Sequence, residues 1–163
     1  MIVTTDGTGP RNSAKLEEAA RFFAAQLMHG RMVNNMEIDI EVVQSMGIMG
    51  ECIAEDDRKN PRYFTIRIRK QPLDNMIRVL AHEMVHVKQY AKNDLSTKTR
   101  MSRYRCGSAT FTSMWKGEWW YPKTKEDAYW DAPWETEAYG LENGLHYKWN
   151  TRHDPKFKWS VKK

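Results

Sequence analysis

The chain has 163 residues, 40% of them hydrophobic and 29% charged, with a net charge of +5; this suits one folded domain long enough to bury a core. No apolar run reaches the 18 or so residues of a membrane span. Cys52 and Cys106 are isolated and no CxxC occurs, which excludes a zinc ribbon or a thiol redox motif; the N-terminus lacks the layout of a secretory signal, so a reduced, cytoplasmic chain is expected.

Residues 1–11, with Gly7, Gly9 and Pro10, read as a loose lead-in. From Ser13 to His29 the apolar residues Leu16, Ala19, Ala20, Phe23 and Leu27 fall on one helical face. Asn12 or Ser13 can cap that helix at its start and Gly30 at its end. Met36, Ile38, Ile40 and Val42 then alternate with acidic residues, the pattern of a half-buried strand. The stretch GIMGECIA reads as a second strand and RYFTIRIRK as a third, separated by the turn signal EDDRKNP.

A helix follows from about Asp74, its expected cap, to Ala91. Ile77, Leu80, Ala81, Met84 and Val87 form its core stripe, with His82, Glu83 and His86 beside or opposite it. Residues 92–108 read as a polar segment. TFTSMWKGEWWYP predicts a short hairpin turning at Lys116-Gly117. DAPWETEAYGLENGLHYKW predicts a last helix, with Asp131 as cap, Pro133 in the first turn, and Glu135 and Glu137 near the positive N-terminus. The tail, residues 150–163, is basic.

Charge is uneven along the chain. Lys92 to Lys116 holds six Lys/Arg against Asp94, and Lys148 to Lys163 six against Asp154, so each segment is +5 and the remainder sums to −5. Such patches are solvated surface or a contact for nucleic acid.

The chemistry concentrates in HEMVH, residues 82–86. Residues i and i+4 share a helical face about 6 Å apart along the axis, so His82 and His86 can aim two imidazoles at one point. Glu83, turned about 100° away, reaches a water at the metal rather than the metal itself. Two ligands plus a general base is the logic of HExxH. With five His and twelve Glu in the chain, chance would produce the pattern roughly once in a hundred such sequences.

Catalytic zinc wants three protein ligands and an open position. The metzincin pattern needs a glycine at position 89 and a histidine at position 92, where this chain has Gln89 and Lys92, so that class is excluded. Candidates for the third ligand are Glu135, Glu137, Glu142, His146 and His153, with Asp127 and Asp131 behind them. Glu137 points about 200° around the helix from Glu135, and His146 lies about 16 Å further along it, so neither can share a metal with Glu135.

PWETEAYGLE resembles the glutamate helix of the gluzincins, in which the ligand glutamate is followed three residues later by a small residue, here Ala138. The arrangement as a whole is similar to the minigluzincins, and to SprT-like and phage-encoded metallopeptidases, over residues 13–148. The resemblance implies an α+β, zincin-like fold in one domain: an N-terminal helix, a small three-stranded sheet, the HExxH helix, a hairpin insert over 92–132 and the glutamate helix. It implies a zinc metallopeptidase with Zn²⁺ on His82, His86 and Glu135 and with Glu83 as general base. In relatives the residue after the small one steadies a ligand histidine; here it is Tyr139, and Glu142 or Asp131 is left to substitute. The oxyanion donor is open among Tyr139, Tyr129, Tyr104 and His146. By the same resemblance YFTIRIRK forms the upper rim of the cleft, offering a free edge to an extended peptide, with Arg67 and Arg69 favouring acidic residues. The five tryptophans Trp115, Trp119, Trp120, Trp130 and Trp134 are read as core and cleft wall. The expected partner is a peptide or protein substrate, without a membrane. The alternatives are a nucleic-acid-associated, SprT-like protease, a metal-stabilised nucleic-acid-binding module using the basic segments, and an inactive scaffold whose zinc is closed by Cys106.

Overall fold

A computed structural model describes residues 1–103, 109–121 and 131–156. The fold is mixed α+β. Its main sheet has four strands: β1 (Ile2–Asp6), β2 (Glu37–Val43), β3 (Gly50–Ala54) and β4 (Tyr63–Arg69), in the order β1-β2-β4-β3. β1 and β4 lie parallel to β2 on its two sides, and β3 closes the far edge antiparallel to β4.

β1 corrects the expectation of a loose lead-in over residues 1–11 and of a three-stranded sheet. In IVTTD only Val3 is buried, so the strand carries too little alternation to be read from sequence. It is held by its ladder to β2, with Val3 opposite Ile38 and Thr5 opposite Ile40. The first helix, α1 (Pro10–Leu27), is the crossover between these parallel strands. It starts at Pro10, ahead of the expected caps Asn12 and Ser13, because proline suits a first turn, where a missing N–H costs nothing. Gly30 does not end it; it opens a short helix, α2 (Gly30–Val33).

The third helix, α3 (Leu73–Lys92), is the centre of the molecule. It packs on α1, β3, β4, the following strand and the last helix, α4 (Pro133–Thr151). Asp74 lies in its first turn rather than at the cap, which is Pro72. Asn93 ends it in the left-handed region at φ 59°, and the N–H of Asp94 reaches back to the carbonyl of Gln89 at 2.8 Å. Crowding on all sides explains a second difference from the sequence. His82, Glu83 and His86 are not on an open flank but are buried like the apolar stripe. Leu16, Phe23, Ile38, Ile40, Phe64, Ile66 and Leu80 fill the space between sheet and helices. Trp149 of α4 meets Phe22 and Phe23 of α1 with ring centroids 5.7 and 6.1 Å apart.

The second sheet is antiparallel, in the order β5 (Leu95–Arg103), β6 (Ala109–Trp115), β7 (Glu118–Trp119). β5 occupies what the sequence offered as a polar segment, because LSTKTRMSR has no apolar alternation to reveal a strand. The hairpin turns at Lys116-Gly117 as expected. Both residues have positive φ, 50° and 90°, the geometry that joins two twisted strands through two residues. Among the described residues no helix is long and apolar enough to cross a membrane.

Candidate metal centre

His82 and His86 are one turn apart on α3, and Glu135 lies in the first turn of α4, which crosses α3. Their donor atoms converge. The two Nε2 atoms are 3.2 Å apart, and the Glu135 carboxylate oxygens lie 3.3 Å from His82 Nε2 and 3.5 Å from His86 Nε2. Two atoms bound to one tetrahedral zinc at 2.0–2.1 Å must be roughly 3.3–3.4 Å apart. The cluster has that spacing, and all three residues are buried.

The hydrogen bonds behind the ligands fix which nitrogens carry protons. Gln89 Nε2 donates to the Trp134 carbonyl at 2.9 Å and to Glu137 Oε2 at 2.8 Å. Two acceptors at that nitrogen orient the amide, so Oε1 is what faces His86 Nδ1 at 2.8 Å, and that Nδ1 carries the hydrogen. On His82, Nδ1–H donates to Glu142 Oε2 at 2.9 Å. Arg78 holds Glu142 by donating from Nε and Nη2 to Oε1 at 3.0 and 2.8 Å. In both neutral imidazoles the proton is therefore on Nδ1, and both Nε2 atoms present lone pairs.

Two nitrogen lone pairs and a carboxylate facing each other repel unless a positive charge lies between them. Glu135 Oε2 is moreover a buried oxygen with no hydrogen-bond partner among the described residues. With no cation between these groups, protons on the imidazoles take its place, as the titration behaviour shows. Burial would raise the Glu135 carboxyl, yet the two histidines hold it down to about 2. Burial would lower both imidazoles, yet the Glu135 carboxylate keeps them above their ordinary value. The donor set calls for a cation, and its chemistry, two imidazoles and a carboxylate, fits a divalent metal ion.

Glu83 is 5% exposed and beside this cluster. Burial, the largest influence, pushes its carboxyl up to about 7 against the opposing effect of the two histidines. The backbone of β3 lies directly over it. A Cβ at Gly50 would come 2.7 Å from Glu83 Oε1 and 2.6 Å from Val79 Cγ1, so only glycine lets the strand approach this closely.

The other candidates are dispersed. Glu142 is not a ligand but the acceptor for His82, the substitution left open when Tyr139 stood in the usual place. Tyr139 instead packs edge-on against the His82 ring, with centroids 4.6 Å apart. Glu137 is taken by Lys88 at 2.7 Å and by Gln89. His146 is turned onto Asp74 at 2.9 Å, which removes it as ligand and as oxyanion donor. His153 and Asp131 are exposed. Asp127, Tyr104, Tyr129, Trp130 and Cys106 lie outside the described residues. Sequence reasoning missed Gln89 as the support of His86. Its spacing, three residues after His86 on one helical face, was the available signal.

The cluster opens into a cleft of about 810 Å³ that runs along α3 under β3, with Ile48 and Met49 at its mouth and Tyr90, Leu95 and Trp134 in its wall. This corrects the expected rim. β4 has strands on both sides and no free edge; β3 is the edge strand and borders the cleft. Arg67 and Arg69 are absent from the lining: Arg67 pairs with Glu41 at 2.8 Å and Glu51 at 3.4 Å, and Arg69 donates to the Met49 sulfur. Trp134 does form cleft wall, backed by Trp120 at 5.2 Å and Trp115 at 6.4 Å between centroids.

Comparisons with family models, with curated proteins and with solved structures find no match to this chain.

Proposed function

We propose that the protein is a zinc metallopeptidase of the gluzincin type, with a zincin-like fold of the small, minigluzincin kind. The observation that carries the reading is the pair of forced tautomers. Glu142 and Gln89 turn both Nε2 lone pairs onto the same point as Glu135, and Glu83 stands next to that point. His82, His86 and Glu135 would hold the ion. Zinc bound there would supply a Lewis acid that polarises a carbonyl and lowers the pKa of a water to about 7.

The chain's own residues account for the rest. β3 offers unpaired backbone groups along the cleft, to which an extended peptide can add as a further strand. The scissile carbonyl is thereby laid over Glu83. Glu83 takes a proton from the attacking water and returns it to the leaving amine. Burial of Glu83 raises its carboxyl, which favours a group that takes a proton and holds it for return. Ile48 and Met49, 53% and 43% exposed at the mouth, give the substrate apolar surface to cover.

The test is zinc content and peptide cleavage in wild type, Glu135→Ala and Glu137→Ala. Wild type should bind one zinc and cleave a quenched-fluorescence peptide library. Glu135→Ala should lose both properties and Glu137→Ala should retain zinc. Undiminished zinc affinity in Glu135→Ala would overturn the ligand assignment. A zinc-loaded wild type that cleaves nothing, with its metal closed to exchange, would replace the peptidase by a structural zinc site. DNA binding that survives loss of the metal would favour the nucleic-acid module.

A further inference from the structure

The cleft contains a phenol that the mechanism above leaves without a task. Tyr90 follows His86 by four residues and Glu83 by seven. On a helix those separations put it within about 40° of His86 and about 20° of Glu83, on the face that carries both. It is about 6 Å further along the axis than His86. Helical side chains lean towards the N-terminus of their helix, so the phenol leans back towards the metal cluster rather than away from it. The ring is half-buried against the core and lines the cleft. No hydrogen bond of its hydroxyl occurs among the described residues.

The surroundings keep that hydroxyl a donor. Burial, then Cys52 and the carboxylates of Glu135 and Glu83, push the phenol well above its ordinary value. It stays protonated wherever Glu83 can act as a base. Two of the other cleft-side donors are engaged elsewhere. Arg78 is held on Glu142, and Tyr139 meets His82 through its ring.

We propose that Tyr90 is a catalytic residue whose O–H donates to the carbonyl oxygen as that oxygen becomes an oxyanion. The proposal rests on the metallopeptidase reading. When water adds to the carbonyl carbon, the carbon–oxygen π pair moves onto oxygen, and the Tyr90 hydrogen bond shortens as charge grows there. Tyr90 gives up no proton. The water's proton goes to Glu83. On collapse the pair returns to carbon, the C–N bond breaks, and the amine leaves with the proton from Glu83. A donor strengthened only in the transition state acts on kcat rather than on KM.

The experiment compares zinc-loaded wild type, Tyr90→Phe and Tyr90→Leu. Cleavage of one peptide is measured beside the affinity for an N-phosphoryl dipeptide, whose tetrahedral phosphorus oxygens mimic the oxyanion. Tyr90→Phe keeps the ring and should keep zinc and the melting temperature. Its kcat should fall about 10²-fold with KM within about twofold, and phosphoryl-dipeptide affinity should fall in parallel. Tyr90→Leu should lose no less kcat than Tyr90→Phe. A Tyr90→Phe enzyme with wild-type kcat and wild-type phosphoryl-dipeptide affinity overturns the role, as does a rise in KM at constant kcat, the sign of a wall residue. A wild type that neither cleaves peptides nor binds the phosphoryl dipeptide overturns the underlying reading and this proposal together, and is recognised because it appears before any substitution.

Discussion

Replacing Glu142 by Gln removes one acceptor and leaves everything else the same size. The carboxylate now serves two donors with two oxygens: Arg78 on Oε1 at 3.0 and 2.8 Å, and His82 Nδ1–H on Oε2 at 2.9 Å. A Gln amide has one oxygen. If it faces Arg78, its NH₂ meets His82 Nδ1 and forces that proton onto Nε2, where the lone pair for the metal was. If it faces His82, the His82 tautomer is kept, its NH₂ meets the guanidinium, and the half-exposed Arg78 swings out to solvent. Outer supports of this kind set metal affinity by 10–100-fold, which is about 1.4–2.8 kcal/mol. Competition against a fluorescent chelator measures the change directly. Glu142→Leu offers Nδ1 no acceptor in any orientation, and a Glu142→Leu protein with wild-type zinc affinity would refute the tautomer assignment.

Gln89→Leu should act on His86 in the same way. It strands Nδ1–H and the Trp134 carbonyl, costing zinc affinity about 10–100-fold and stability about 1–3 kcal/mol, read by chelator competition and denaturant unfolding. Gly50→Ala should keep zinc and lose activity. Its methyl would sit 2.7 Å from Glu83 Oε1, and an ångström of displacement of a reacting group costs about 10²-fold in rate; unchanged cleavage would mean that Glu83 is not the base. Stripping the metal should lower the melting temperature. Zinc at a thousand times its Kd stabilises by about 4 kcal/mol, equivalent to roughly 8–16 °C for a chain of this size, visible in a thermal melt with and without chelator.

HEMVH and the helix around it were legible because both signals are local, a motif and a 3.6-residue period. Glu135 was legible through the segment around it. The supports were less so, since which residue of α4 reaches His82 depends on where α4 crosses α3. Glu142, two turns past Glu135, fills the position that a short-range pattern assigns to Tyr139. Gln89 was half legible: its spacing from His86 places it on the same face, but its amide's turn towards Nδ1 depends on the Trp134 carbonyl and Glu137 of α4. β1 was hidden because an edge strand in a parallel pair needs few apolar residues, and Val3 is the one it buries. The rim was assigned to β4 because strand order within a sheet is a tertiary fact; alternation in YFTIRIRK shows a strand but not that β3 lies outside it.

The central claim joins a metal site to a general base, and one variant separates them. Zinc-loaded Glu83→Gln should hold the same amount of zinc as wild type with unchanged affinity, because Glu83 is not among the three converging residues. Its rate of peptide cleavage should fall by about 10²–10⁴. Cleavage persisting at the wild-type rate in a fully zinc-loaded Glu83→Gln protein would contradict the account.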